Sequence, residues 1–312
     1  MGTKVVPDSL TVVIPTFNRE VLLKKALEGY MAQSSSESIH ELLVVDDGST
    51  DGTESAVLEL SRRSPFPIRY LRQPNKGPAA ARNLGIREAR TGIILFTDSD
   101  IVPARNLVFQ HLQWHRENPE TSVAILGYVT WPPEIKATPF MRWYGEAGPL
   151  FAYRQFRNKR QISFHFFYTC NLSLKTEFLR THGQFDEDFT GAAFEDIELG
   201  YRLSKAGLRL LYNPRAVAYH HQYFSFSDAC RKAQRNAPAA RLFSRKEAGQ
   251  RLLEPTIRRR SRLSYRIAAR VASGIGAALR PASRLLDSHI PLPAIVYRLF
   301  FWYYTTRRLG IR

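Results

Sequence analysis

Carboxylates stand in three tight groups along this 312-residue chain: Asp46-Asp47, Asp98-Ser99-Asp100 and Glu195-Asp196. Asp98 and Asp100 follow the apolar run Gly92 to Thr97 with one residue between them. Alternate residues of an extended backbone share a face, so both carboxylates can reach one divalent ion. Mg2+ and Mn2+ prefer oxygen ligands and commonly combine one or two carboxylates with substrate phosphates, whose charge the ion neutralises. The plainer alternative is that the pair caps a turn. His220-His221 follows another apolar run, Ala216 to Tyr219, and an imidazole can serve as a third ligand. Neighbouring side chains on a strand point to opposite faces, so one histidine would serve; His220 is the preferred candidate and His221 remains open.

The elements that must hold these groups are legible as an alternation. Thr11 to Pro15 reads as a strand, Val21 to Tyr30 as a helix and Glu41 to Asp46 as a strand. A polar turn follows, with Asp51 expected to cap a helix over Thr53 to Arg63. Ile68 to Leu71 is a third strand, Ala79 to Ala89 a helix and Gly92 to Asp98 a strand buried on both faces. Strands alternating with helices predict a parallel sheet whose ligands gather beyond the carboxyl ends, where Asp46-Asp47 and Asp98 to Asp100 fall. The region of about 121–170 mixes strand-like pieces with aromatic and proline-rich loops. Trp131, Trp143, Tyr144 and Tyr168 could stack on sugar rings, but large aromatics are expected first in a core. From Asn171 onward the pattern predicts an apolar turn, a loop over Gly183 to Ala193, a helix over Phe194 to Ala206 and a strand over Leu208 to Tyr212.

Six segments occur together in one order: Val13-Ile-Pro-Thr-Phe-Asn-Arg19, Val44-Val-Asp-Asp-Gly-Ser-Thr-Asp-Gly-Thr53, Asn75-Lys-Gly-Pro-Ala-Ala-Ala-Arg-Asn83, Phe96-Thr-Asp-Ser-Asp100, Asn171-Leu-Ser173 and Phe194-Glu-Asp-Ile-Glu-Leu-Gly-Tyr-Arg-Leu203. In these the chain resembles glycosyltransferase family 2 over roughly residues 10–225. The resemblance implies an α/β GT-A fold, a Rossmann-like and mainly parallel central sheet flanked by helices. It also implies transfer of a sugar from a nucleotide-diphosphate donor to a hydroxyl acceptor, with Mn2+ or Mg2+ as cofactor.

Carried onto these positions, it implies that Pro15, Thr16, Phe17, Asn18 and Arg19 line the donor pocket with Asp46 and Asp47, the latter accepting from the base. Lys76 and Arg82 would lie near the nucleotide, with Gly77 permitting close backbone approach. Asp98 and Ser99 would border the donor, Asp98 and Asp100 with His220 would hold the metal, and Asn171 would border the donor sugar. Asp196, beside Glu195, would be the general base of an inverting displacement. A neighbouring carboxylate or partial burial would raise its pKa, while its place near a helix N-terminus pulls the other way.

The net charge of +17 is unevenly distributed. Residues 231–312 carry 19 Lys/Arg against 3 Asp/Glu, leaving 26 against 25 in residues 1–230. The expected organisation is therefore a catalytic domain over 1–230 and a basic helical extension over 231–312. Arg258, Arg262, Arg266 and Arg270 form a cationic stripe beside Leu263, Ile267, Val271, Ile275 and Leu279, the pattern of an amphipathic helix at an anionic membrane surface. Ala294 to Tyr304 is too short to span a bilayer and rich in interfacial aromatics. With neither an export signal nor an ordinary membrane span in view, the expectation is a cytoplasmic protein peripheral to the inner face of the plasma membrane. Its acceptor would then be a lipid-linked or surface glycan. Two cysteines without ligand spacing predict neither a disulfide framework nor a zinc site. The competing readings are a nucleotidyltransferase, disfavoured because no glycine-rich loop with a lysine follows the first strand, and a nucleic-acid-binding protein using the basic extension.

Overall fold

The computed structural model describes residues 8–252 and 285–306. The strands β1 (Leu10–Thr16), β2 (Ile39–Asp46), β3 (Ile68–Arg72) and β4 (Ile93–Thr97) alternate with the helices α1 (Glu20–Met31), α2 (Thr53–Ser61) and α3 (Pro78–Glu88). All pairings among these strands are parallel, β2 to β3, β1 to β2 and β1 to β4. A parallel sheet covered by helices on both sides buries its central strands, and β1 and β4 are buried along their whole length, while β3 at the edge is only partly buried.

Beyond β4 the chain adds β5 (Ile101–Pro103), α4 (Leu107–Glu117), β6 (Val123–Thr130), α5 (Pro139–Glu146), β7 (Gln161–Ile162), β8 (Asn171–Lys175), α6 (Thr176–His182), α7 (Glu195–Lys205) and β9 (Arg209–His220). The sheet order is β3-β2-β1-β4-β8-β6-β9-β5, with β7 also on β9. The apolar turn expected at Asn171 is instead the strand β8, wedged antiparallel between β4 and β6. Asn-Leu-Ser-Leu-Lys does not advertise itself as a central strand because only one of its faces is apolar. The other face is satisfied by buried polar partners rather than by water. The two separate pieces expected at Leu208 to Tyr212 and Ala216 to Tyr219 are one strand, β9, that bulges between them: Gly127 faces Asn213 and Tyr128 faces Val217.

Two compact units divide the described residues, one formed by those up to Pro132 with Phe156–Gln222 and the other by Pro133–Gln155 with those from Tyr223 onward. The whole sheet belongs to the first. In the second, α5 meets α8 (Phe226–Arg235) and the helix Ala294–Thr306 around an aromatic core. There Trp143 stacks on Tyr297 at 5.5 Å, and Phe140 packs against Tyr144 and Phe226. Trp143 and Tyr144 thus take the core role, and Tyr297 and Phe300 of the aromatic C-terminal segment are turned inward. The arginine and apolar stripes of 258–279 lie outside the described residues. Among the described residues, no helix is long and apolar enough to cross a membrane.

Candidate active site

Because β1, β2 and β4 run parallel, their carboxyl ends at Thr16, Asp46 and Thr97 lie on one edge of the sheet. β8 runs the opposite way, so its first residue, Asn171, sits beside Thr97 at that same edge. Asp98-Ser99-Asp100 leaves β4 in a turn closed by the Ile101 amide, which donates to the Asp98 carbonyl at 3.1 Å.

Arg82 joins this turn to the start of α7. Its guanidinium donates to Asp98 Oδ1 at 2.8 Å and to Glu195 Oε1 at 2.9 Å, and its ring neighbour is Phe185. The Arg82 and Glu195 side chains are each 4% exposed, whereas that of Asp98 is 36% exposed, so Asp98 still faces solvent. Phe194, with φ of 71°, precedes Glu195 in the left-handed region and turns the helix start toward this ion pair. Burial works against the charge of Arg82, but Asp98, Glu195 and Asp196 more than offset it. Burial raises the Glu195 carboxyl, and Arg82 pulls it back. Asp196 is pushed up to about 7, first by burial and then by Glu195, against Arg82 and the Ile197 amide that donates to its Oδ1 at 2.7 Å. A carboxylate tuned to neutrality is suited to accept a proton.

Asp100 and His220 meet on the other side of the turn. His220 Nε2 lies 3.5 Å from Asp100 Oδ2, Ile101 pairs with His220 in the sheet, and the His221 amide donates to the Asp100 carbonyl at 2.9 Å. Ligands adjacent on an octahedral ion at about 2.1 Å stand about 3 Å apart, so these two atoms fit one cation. Among the described residues no group of three or more His, Cys, Asp or Glu side chains is gathered to cage an ion. Any metal here would draw its remaining ligands from substrate and water, as magnesium commonly does.

The loops expected around the donor are tied to one another. Asp46, fully buried, accepts from the Ser49 amide at 2.8 Å and from the Tyr70 hydroxyl. Asp47 accepts from Gln73 Nε2 and from the Lys76 and Gly77 amides, each at 2.8 Å, so its carboxylate shapes the 73–77 loop. Asn18, at φ of 51°, receives the Thr50 amide on Oδ1, and Asp51 accepts from the Thr53 amide at 3.1 Å from one residue before the cap position, which Gly52 rather than Asp51 occupies. Phe17 and Lys76 are exposed, Ser99 is buried, and the buried Thr16 hydroxyl has no partner among the described residues. Pro15 and Arg19 flank this loop at the end of β1 and the start of α1. Gly77, at φ of 93°, meets another backbone: a Cβ there would fall 2.4 Å from the Thr190 carbonyl. Asn83 clips the same 183–193 loop, exchanging bonds with the Phe185 backbone at 2.9 Å.

Asn171 is placed differently from its neighbours. Its amide is buried and engaged by Ala216, Tyr128 and His111, pointing into the sheet rather than over the edge. Cys170 and Tyr30 were not singled out for the site by sequence reasoning, and Tyr168 and Trp131 only as aromatics more at home in a core. Burial raises the Cys170 thiol far above its usual range, with the charges of Asp98, Asp196 and Asp100 adding to it. Burial likewise raises Tyr168, with Asp196 next in effect, and Tyr30, which bonds Thr97 and feels Asp98. Trp131 lies 5.4 Å from the His220 ring. Only Tyr168 and Trp131 carried a signal, as aromatics in a loop-rich stretch.

Residues 11–183, more than half of the chain, match the model described as glycosyl transferase family 2. The chain belongs to this family. Over 222 residues it is 33% identical to the validoxylamine A glucosyltransferase of Streptomyces hygroscopicus subsp. limoneus, covering 64% of this chain and 48% of that one. The chain spans about half the length of the curated relatives it matches. In fold it is similar to a mannosyltransferase from Pyrobaculum calidifontis solved with GDP-Man and Mn2+, with a TM-score of 0.60 and 19% identity over 96% of this chain and 87% of that one. It is also similar to residues 1–349 of S. aureus TarS solved with UDP, with a TM-score of 0.56 and 17% identity over 96% and 90% of the two chains. The fold is GT-A.

Proposed function

We propose that the protein transfers a sugar from a nucleotide-diphosphate donor to a hydroxyl acceptor, with inversion and with Mn2+ or Mg2+. The observation that carries this reading is the Arg82 bridge, which draws the end of β4 and the start of α7 together and leaves Asp196 poised near neutrality beside them. Family membership and the likeness to a glucosyltransferase support the reaction class. The nucleotide and metal in the similar structures support the donor and cofactor.

Asp100 and His220 would hold the divalent ion, whose chemistry there is neutralisation of the departing diphosphate. Asp196 takes the proton of the acceptor hydroxyl as that oxygen attacks the anomeric carbon from the face opposite the diphosphate. Arg82 fixes the Glu195 side of α7 while leaving one flank of Asp98 open to donor. The 15–19 and 73–77 loops, cross-tied through Asn18 and Asp47, frame the nucleotide.

A panel of nucleotide sugars, followed for Mn2+-dependent hydrolysis and transfer, tests the reading. One donor should stand out, and Asp100→Ala should lower the metal affinity at least about tenfold. Turnover by Asp100→Ala with an unchanged Mn2+ requirement would remove Asp100 from the site.

We further propose that the second unit attaches to an anionic membrane surface, which would make a lipid-linked or surface glycan the natural acceptor. Support comes from the charge of residues 231–312 and from Arg231 and Arg235 of α8 and Arg241 and Arg245 of α9 (Ala237–Arg245), all exposed. The full chain should co-sediment with phosphatidylserine vesicles and be released by salt. Equal sedimentation with neutral phosphatidylcholine vesicles, or none with either, would count against the proposal.

A further inference from the structure

Asn171, Ser173 and Lys175 alternate with Leu172 and Leu174 along β8, so the three polar side chains share one face. α4 lays His111 and His115, one helical turn apart, against that face. All five residues are buried, none more than 6% exposed. Lys175 Nζ lies 2.9 Å from His115 Nδ1, and His115 Nε2 lies 2.9 Å from Ser173 Oγ. Ser173 Oγ in turn lies 2.7 Å from His111 Nδ1, and His111 Nε2 lies 2.8 Å from Asn171 Oδ1. The Asn171 amide group donates to the carbonyls of Ala216 at 2.8 Å and Tyr128 at 3.3 Å.

The direction of this chain is set independently from both ends. A lysine ammonium only donates, so His115 Nδ1 accepts, its Nε2 carries the proton, and Ser173 accepts from it. Two carbonyls only accept, so the Asn171 nitrogen faces them and its oxygen faces His111, whose Nε2 must carry the proton. His111 Nδ1 then accepts from Ser173. The two deductions meet at Ser173 with one bond received and one given, which a hydroxyl supplies. Burial agrees, holding the His111 imidazole down to about 4 and His115 well below its ordinary range, the latter aided by Lys175.

The chain ends on the bulge of β9. Residues 214–216 lie between the Gly127–Asn213 and Tyr128–Val217 pairings, and Asn171 holds the Ala216 carbonyl four residues before His220. Gly127 leaves the room: a Cβ there would fall 2.2 Å from Asn171 Nδ2 and 2.4 Å from the Ala216 carbonyl. We infer that Lys175, His115, Ser173, His111 and Asn171 form a one-directional hydrogen-bond chain that fixes the bend of β9 and thereby sets His220 against Asp100. The five are positioning residues, and only the purpose of the His220–Asp100 pair rests on the transferase reading.

The test uses the full chain with 15N-labelled histidine, its eight histidines assigned through His→Gln variants. His111 and His115 should appear as neutral Nε2–H tautomers at about pH 6, where an unperturbed histidine is largely charged. Ser173→Ala should shift the His220 imidazole signals, and Lys175→Met, at the far end, should shift them in the same direction. An imidazolium or an Nδ1–H tautomer at either position in the wild type would overturn the inference, whether or not a variant folds. So would His220 signals unmoved in folded variants. Mn2+ should broaden the His220 signals. Shifts in the variants without Mn2+ broadening in the wild type would support the chain and reject the metal site instead.

Discussion

Asp196→Asn is expected to lower the turnover of glycosyl transfer by about 10²–10⁴-fold, the range a positioned general base contributes. The amide has nearly the shape of the carboxylate and can still receive the Ile197 amide through its oxygen, so the fold should be retained. What it lacks is the ability to take a proton. Asp196 is raised to about 7 by burial and by Glu195, and only its deprotonated form acts as base. The wild-type rate should therefore climb as pH rises through about 7 and level off above it, and Asp196→Asn should lose that rising limb. A single-turnover rate independent of pH across the neutral range, or full turnover in the variant, would remove Asp196 from this role.

Arg82→Leu is expected to destabilise the fold by about 3–5 kcal/mol, the scale for breaking a buried pair by removing one partner. The loss comes less from attraction forgone than from Glu195, which stays buried with its countercharge gone. Its folded pKa would then rise further above its unfolded value. A carboxyl raised in this way loses folded-state stability as pH climbs past the unfolded pKa, so the defect should be larger at neutral than at acid pH. Arg82→Leu/Glu195→Leu should recover most of the loss by urea unfolding, because the fully buried Glu195 charge is then gone as well, while Asp98 keeps access to solvent. A double variant no more stable than the single one would show that the cost lies elsewhere. Arg82→Lys should rescue only in part, since an ammonium cannot present a planar fork to Asp98 and Glu195 together.

Much of the first half of the molecule was legible before any coordinates. The expected strands at 11–15, 41–46, 68–71 and 92–98 fall within a residue or two of β1 to β4, and the expected helices lie on α1 to α3. Apolar periodicity encodes these elements locally, and short crossovers force their order. Beyond β4 the signal failed for identifiable reasons. β8 alternates polar with apolar residues, the mark of a half-solvated strand, yet its polar face is satisfied by His111 and His115 from a helix more than fifty residues away. β9 reads as two pieces because its bulge has no partner residues on β6.

The sequence by itself determined which residues could do chemistry and on which edge they would emerge, because a parallel strand followed by an acidic turn leaves its carboxylates at the carboxyl end. It also determined, through six ordered segments, the family to which the chain belongs. Only the tertiary structure decided how those groups are shared. Arg82 chooses Asp98 and Glu195, residues distant from it in sequence, and Asp100 turns to His220. Asn171 faces into a buried chain instead of over the site. The physical reason is that periodicity is a property of neighbours along the chain. The partner of a buried charge or amide is settled only when distant segments close around it and exclude water.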